Sequence, residues 1–261
     1  MSVIDPTLRL ALEQFATQSP LLIALDFDGT LAPLGIDPEQ SRMIPEARSA
    51  LDALTGLHNV HIALVTGRAI ESISRVAEPD SSWFLVGSHG VEVVTPEERP
   101  SYHTPDRVPQ DVIAGFDDIV ASFPGTRKEI KPFGVALHTR GLPESVAQAA
   151  EQAAHTLCEQ WAGDFVVRTG HGIVECATEV ATKGDGLLAL IKHISPAATL
   201  FAGDDMTDED GFAVLALTDV AIRVGGGQTL APYRLEDAHA MAETLWLVHQ
   251  LFTGLPRGSK V

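Results

Sequence analysis

The chain has 261 residues, 45% hydrophobic and 20% charged, a composition that supplies a sizeable core and excludes disordered, collagen-like and small disulfide-stapled classes. Its 18 Lys and Arg stand against 35 Asp and Glu, and the formal charge of −17 opposes nonspecific binding to nucleic acid or to anionic membranes, which both need clustered positive charge. Only Cys158 and Cys176 occur, the start lacks a basic segment followed by a long apolar one, and no apolar run approaches the roughly 20 residues that span a bilayer, which together predict a cytoplasmic protein with reduced thiols.

Asp5 and Pro6 suit an N-cap and a first helical position, and Leu8, Leu12 and Phe15 recur with helical spacing, so the chain is expected to open with an amphipathic helix. Leu21 to Phe27 is a nearly continuous apolar run, as in a parallel strand covered on both faces, and it ends in Asp26-Phe27-Asp28-Gly29-Thr30. A helix opened by Pro45 precedes a second buried strand, Val60 to Val65, which ends in Thr66-Gly67-Arg68. A third unit runs from a helix over 69–76 into Trp83-Phe84-Leu85-Val86 and ends at Gly87-Ser88-His89-Gly90. Such alternation implies a parallel α/β sheet with ligands beyond the carboxyl ends of its strands.

The texture changes after about residue 100. Pro100, Pro105 and Pro109 precede a helix over 112–123, strands over 127–131 and 134–140, a helix over 144–161 and strands over 165–169 and 172–176. This stretch reads as an inserted α+β unit. The α/β rhythm resumes at Lys183 with a helix over 184–193, a strand over 198–202 ending at Gly203-Asp204-Asp205, a helix around 209–215, a strand over 220–224 and a last helix over 238–252. The expected organisation is a core of 1–100 and 182–261 with an insertion at 101–181.

Asp26 and Asp28 sit two apart at the end of the predicted strand, so alternation is expected to point their side chains to the same face. Two unit charges about 4 Å apart repel by about 4 kcal/mol at an effective dielectric near 20, so a cation should compensate; Mg²⁺ fits because it prefers carboxylate oxygens. Turn chemistry after a strand is the bland alternative. It weakens because four strands end in polar or glycine-rich sequence, and these ends converge in a parallel sheet. Lys183, opening a helix, can reach the same crevice, where the helix N-terminus also favours an anion.

Asp-Phe-Asp-Gly-Thr, Thr66, Lys183 and Gly-Asp-Asp resemble, in order, the four motifs of the haloacid-dehalogenase superfamily of phosphotransferases. Leu-Asp-Phe-Asp-Gly-Thr-Leu-Ala-Pro, Val-Thr-Gly-Arg, Gly-Ser-His-Gly, Glu-Ile-Lys-Pro with Ala-Leu-His-Thr-Arg, Val-Glu and Gly-Asp-Asp-Met-Thr-Asp-Glu-Asp are more narrowly similar to the trehalose-6-phosphate phosphatase family, over about residues 20–250. The resemblance implies a Rossmann-like core with a parallel sheet and an inserted α+β cap. It implies a Mg²⁺-dependent phosphatase, acting on trehalose 6-phosphate in the last step of trehalose biosynthesis. By this resemblance Asp26 is the nucleophile and forms an aspartyl phosphate, Asp28 is the acid and base, and Thr66 and Lys183 hold the phosphoryl group. Asp26, the main-chain carbonyl of Asp28 and Asp204 bind Mg²⁺, while Asp205 and Asp208 orient ligands or water from behind. Gly67 and Arg68 meet the substrate. Glu129, Lys131 and Glu175 correspond to the glucose-hydroxyl contacts, and His138 and Arg140 are further candidates whose alternative is a solvent-exposed strand edge. The partner is a small sugar phosphate, with neither nucleic acid nor membrane; a monomer is expected, working beside a trehalose-phosphate synthase.

The chain departs from the family pattern after Glu175, where Cys176-Ala177-Thr178-Glu179-Val180 replaces a proline with basic or polar residues, and this bears on sugar positioning. Asp210 and Glu209 read as helix N-terminal charges, and Gly225-Gly226-Gly227 as a flexible turn, since it has no P-loop lysine. A zinc site of His171, Glu175 and Cys176 lacks a further Cys/His pair, and Cys158 should pack as a small apolar residue. A sugar phosphomutase would carry its insertion soon after the first motif, yet only one helix and one strand separate Asp28 from Thr66. Phosphatases of sucrose phosphate or mannosyl phosphoglycerate are the nearest alternatives. A receiver-like phosphate-binding module is a more distant one, disfavoured by Asp28, because a receiver has no leaving group to protonate.

Overall fold

The computed structural model describes residues 4–35, 37–99, 108–131, 133–161, 165–170, 172–177 and 181–254. The chain divides into two compact units, one of Met1–Tyr102 with Ala181–Val261 and the other of His103–Val180.

The first unit is built on a seven-stranded sheet of β1 (Leu21–Leu25), β2 (Val60–Val65), β3 (Phe84–Gly87), β4 (Glu92–Val94), β9 (Ala198–Gly203), β10 (Val220–Val224) and β11 (Tyr233–Leu235). The spatial order is β11-β10-β9-β1-β2-β3-β4, with every pair parallel except β3 and β4. Strands β1, β3, β9 and β10 are buried along their whole length, so their alternate residues feed two separate cores. Leu21, Ile23 and Leu25 join α1 (Pro6–Phe15), α2 (Pro45–Thr55), α3 (Ile70–Ala77) and α8 (Ala238–Thr253), whereas Leu22 and Ala24 face Leu187 and Leu190 of α6 (Lys183–Ile194) and Phe212 of α7 (Glu209–Ala213). A continuous apolar run is therefore what this sheet requires, because a polar side chain on either face would be buried without water.

Local sequence fixes the helix starts. Asp5 accepts from the Thr7 and Leu8 amides at 2.7 and 3.3 Å, with Pro6 in the first turn. Thr182 and Asp185 form a reciprocal capping box that starts α6 at Lys183. The structure adds β4 and β11, three residues each, which are too short to show a period in sequence. It also ends β1 at Leu25, two residues before the apolar run ends, so period-two alternation does not extend through Asp26 and Asp28. The run at Gly225–Gly227 is tied down by side chains: Arg234 donates to the carbonyls of Gly225 and Gly227, and Arg223 to that of Gly226.

In the second unit, α4 (Gln110–Ser122) and α5 (Glu144–Glu159) accompany an antiparallel sheet of β5 (Arg127–Lys131), β6 (Gly134–His138), β8 (Ile173–Ala177) and β7 (Val166–Gly170), in that order. Its core holds Phe116, Val135, Leu137, Ala154, Cys158, Val174 and Cys176. Both cysteines are free and buried there. Glu175 precedes Cys176 on β8 and so faces the other way, which parts two members of the notional zinc set; His171 lies outside the described residues. Among the described residues no helix is long and apolar enough to cross a membrane.

Candidate active site

The chemistry gathers at the carboxyl ends of β9, β1, β2 and β3, which are neighbours in the sheet. Asp26 follows β1 directly and its amide donates to the Ala202 carbonyl of β9 at 2.9 Å. Lys183 reaches back from the first turn of α6, and its Nζ donates to Asp26 Oδ1 at 2.8 Å and to Asp208 Oδ1 at 2.7 Å. All three side chains are buried. A lysine at a helix N-terminus opposes the helix dipole, so α6 gains nothing locally from it. The two carboxylates compensate: burial acts against the ammonium, but Asp26 and Asp208 outweigh it and hold the Lys183 amine above the usual lysine range.

Asp204, at the end of β9, completes a group of three. One carboxylate oxygen each from Asp26, Asp204 and Asp208 lie within 4.8 Å of one another. Asp208 Oδ2 also accepts from the Asp205 amide at 2.8 Å, and the Asp205 side chain caps the short turn Met206–Asp208. Two glycines make the space. A Cβ on Gly29, whose φ is +82°, would run into the Asp204 carboxylate, and one on Gly203 would run into that of Asp208. Burial pushes the Asp26 carboxyl well above the usual range, with Lys183 opposing and Asp208 and Asp204 adding to the rise. Burial, followed by Asp208, raises Asp204 to about 6. One ammonium does not offset three clustered carboxylates, and the donors are all hard oxygens, so the residues fit a divalent cation such as Mg²⁺.

Thr66 and Gly67 form the next strand end. The buried Thr66 anchors its amide on the Val86 carbonyl at 2.8 Å, and its hydroxyl accepts from the Arg68 amide at 3.2 Å. Gly67 has no side chain because the His89 imidazole lies against it: a Cβ there would sit 2.6 Å from Nε2. Ser88 and His89 both adopt positive φ, 49° and 57°, and the Ser88 hydroxyl donates to Glu92 at 2.6 Å. Two successive left-handed residues without a glycine among them are costly, and here they tuck the ring over the turn after β2. Gly-Ser-His-Gly was legible as a strand end; the position of the ring was not.

Asp28 lies apart from the acidic group. Arg68 grips it with Nε to Oδ2 at 2.5 Å and Nη2 to Oδ1 at 2.8 Å, and Ser41 Oγ donates to Oδ1 at 2.8 Å. Glu209 is more than a helix-start charge, since it accepts from Arg223 at 3.3 Å and from the Leu230 amide at 2.7 Å.

In the second unit, pairing in register puts Glu129, Ala136, Glu175 and Arg168 in one row across the sheet, on the face away from the core. Lys131 and His138 share that face. Lys131 Nζ bonds Glu175 Oε2 at 2.9 Å, and His138 Nε2 lies 2.8 Å from Glu129 Oε2. Arg140 is exposed in the turn after β6. Arg168 joins the array unforeseen; its position opposite Glu175 depends on the hairpin register, and no motif marks it.

The trehalose-phosphatase family model matches residues 24–237. The chain is 29% identical to trehalose-6-phosphate phosphatase of Escherichia coli over 228 residues, covering 84% of this chain and 85% of that one. It is 30% identical to trehalose-phosphate phosphatase of Mycobacterium tuberculosis over 238 residues, covering 85% of this chain but only 59% of that longer protein. The C-terminal domain of trehalose-6-phosphate phosphatase from C. albicans superposes with a TM-score of 0.74 at 21% identity, over 93% of this chain and 96% of that one.

Proposed function

The chain belongs to the trehalose-phosphatase family and is a phosphoric monoester hydrolase, and on that premise we propose that it hydrolyses trehalose 6-phosphate to trehalose and phosphate through a phosphorylated Asp26. The observation that carries the mechanism is the buried ammonium of Lys183 between Asp26 and Asp208, 2.8 and 2.7 Å away. It engages Asp26 through Oδ1 and so fixes the carboxyl that would attack phosphorus. The same ammonium would neutralise charge as it shifts onto the phosphoryl oxygens.

In the first half-reaction a bond forms between Asp26 and phosphorus, the bond from phosphorus to the sugar oxygen breaks, and Asp28 gives that oxygen a proton. In the second, water attacks the aspartyl phosphate, Asp28 takes a proton from it, and Asp26 is released. Thr66 and Gly67 orient the phosphoryl oxygens through hydroxyl and amide. Asp26, Asp204 and the main-chain carbonyl of Asp28 would hold Mg²⁺, with Asp205 and Asp208 bracing them; when bound, the ion screens the repulsion between an anionic nucleophile and an anionic ester. The second unit would serve as the cap that selects the sugar. The face of its sheet turned away from the core offers carboxylates at Glu129 and Glu175 and an ammonium at Lys131, which suit the donors and acceptors of sugar hydroxyls.

Phosphate release from trehalose 6-phosphate, glucose 6-phosphate and sucrose 6-phosphate, each with and without Mg²⁺, tests substrate and cation together. Preference for another ester would reassign the substrate. Asp26→Asn is expected to abolish the beryllium fluoride adduct, and an adduct surviving at that residue would exclude it as nucleophile.

A further inference from the structure

We propose that Ser41 and Arg68 are positioning residues that fix the Asp28 carboxyl so that its Oδ2 atom exchanges the proton with the leaving sugar, an inference that rests on Asp28 being the acid of the reaction above. A carboxylate oxygen offers two lone-pair positions. Oδ1 accepts from Ser41 Oγ at 2.8 Å and from Arg68 Nη2 at 2.8 Å, so both of its positions are taken. Oδ2 accepts, among the described residues, only from Arg68 Nε at 2.5 Å, so one position stays open. The open lone pair is where a proton can sit and leave.

The clamp is itself anchored. Arg68 Nη2 also donates to the Pro38 carbonyl at 2.7 Å, Nη1 donates to Ser72 Oγ at 3.3 Å, and the guanidinium lies 5.8 Å from the centre of the Phe27 ring. Its side chain is 10% exposed, against 31% for Asp28, so the acid is reachable while its holder is not. Ser41 is buried as well and follows the short turn Pro38–Gln40, which Asp37 caps. Two separate stretches of chain, around Ser41 and around Arg68, thus set the plane of one carboxyl group. A guanidinium suits this task because its fork fixes orientation as well as distance, which a lysine ammonium does not. With Nε and Nη2 both engaged, Arg68 acts through Asp28 and does not grip the ester itself. As the bond from phosphorus to the sugar oxygen breaks, the proton on Oδ2 passes to that oxygen, and water returns one to Oδ2 when the aspartyl phosphate is hydrolysed.

The test compares kcat/KM for trehalose 6-phosphate with that for p-nitrophenyl phosphate, whose phenolate leaves without a proton. Arg68→Met is expected to lower the first about 100-fold and the second less than about tenfold, because the general acid contributes about 10²–10⁴-fold only where a proton is needed. Ser41→Ala should cost about five- to tenfold on the sugar ester, and Ser41→Thr, which keeps the hydroxyl, should restore most of it. In an Asp28→Asn background neither substitution should lower the rate further, since residues acting through one group are not additive. Equal losses on both esters, or losses that add to that of Asp28→Asn, would overturn the inference and place Arg68 on the phosphate. Where Arg68→Met does not fold, Arg68→Lys carries the same comparison. Turnover by the unsubstituted chain tests the earlier reading alone; the ratio of losses tests this one.

Discussion

Asp204→Asn should stabilise the protein when metal is removed. Burial and Asp208 raise the Asp204 carboxyl from its ordinary value of 3.8 to about 6. Below about pH 4 the group is protonated folded and unfolded alike and costs nothing; between the two values the unfolded chain releases its proton first; above about 6 the folded chain bears the whole penalty. Stability tied to this group is therefore present at low pH and lost as the pH rises through 6. The rise from 3.8 to about 6 corresponds to about 3 kcal/mol, and because Asp204 is only partly buried, solvent screening reduces this to about 1–2 kcal/mol. At about 2–4 °C per kcal/mol for a protein of this size, the variant should melt about 2–8 °C higher than the unsubstituted chain in chelator at pH 7.5. The gap should close toward pH 4.5. Added Mg²⁺ should raise the melting temperature of the unsubstituted chain and not that of the variant, since a bound cation reverses the preference of the carboxyl for its proton. A variant that melts no higher at pH 7.5, or a gap that persists at pH 4.5, would refute the reasoning.

Lys183→Met leaves Asp26 and Asp208 buried without their ammonium and should cost about 3–5 kcal/mol in chemical denaturation, and it should abolish turnover. Gly29→Ala forces a Cβ into the Asp204 carboxylate from a backbone at φ +82°, so titration calorimetry should find Mg²⁺ affinity lowered at least about tenfold. Glu175→Gln removes the charge that pairs with Lys131 at 2.9 Å and replaces one acceptor oxygen by an amide donor on the second sheet. It is expected to raise KM for trehalose 6-phosphate about tenfold with a smaller change in kcat; an unaltered KM would remove Glu175 from the sugar site.

The doubly covered sheet was legible in sequence because five consecutive buried residues, as in β1, allow no polar position, and the motifs were legible because a parallel sheet must gather its strand ends. The link of Lys183 to Asp26, 157 residues apart, follows from that topology. What stayed hidden depends on where the strand stops. With β1 ending at Leu25, Asp28 turns out of the alternation and toward Arg68 and Ser41, and the spacing of these residues says nothing about either bond. The resemblance assigned Arg68 to substrate, while the nearest charge in the fold is Asp28. Pinning of the glycine run likewise depends on Arg223 and Arg234, whose side chains return to it through strand pairing.

The central place of β1 has a cost during synthesis. One edge of that strand pairs with β2 soon after it emerges, but the other waits for β9, which begins at Ala198, about 170 residues downstream. At about 5–20 residues per second, the ribosome leaves that apolar edge open for roughly 10–30 s. Exposed ladders of this kind recruit neighbouring strands from other molecules. Expression of residues preceding β9 alone should therefore give aggregated protein, and the nascent chain is a natural client for a holding chaperone until its second half arrives.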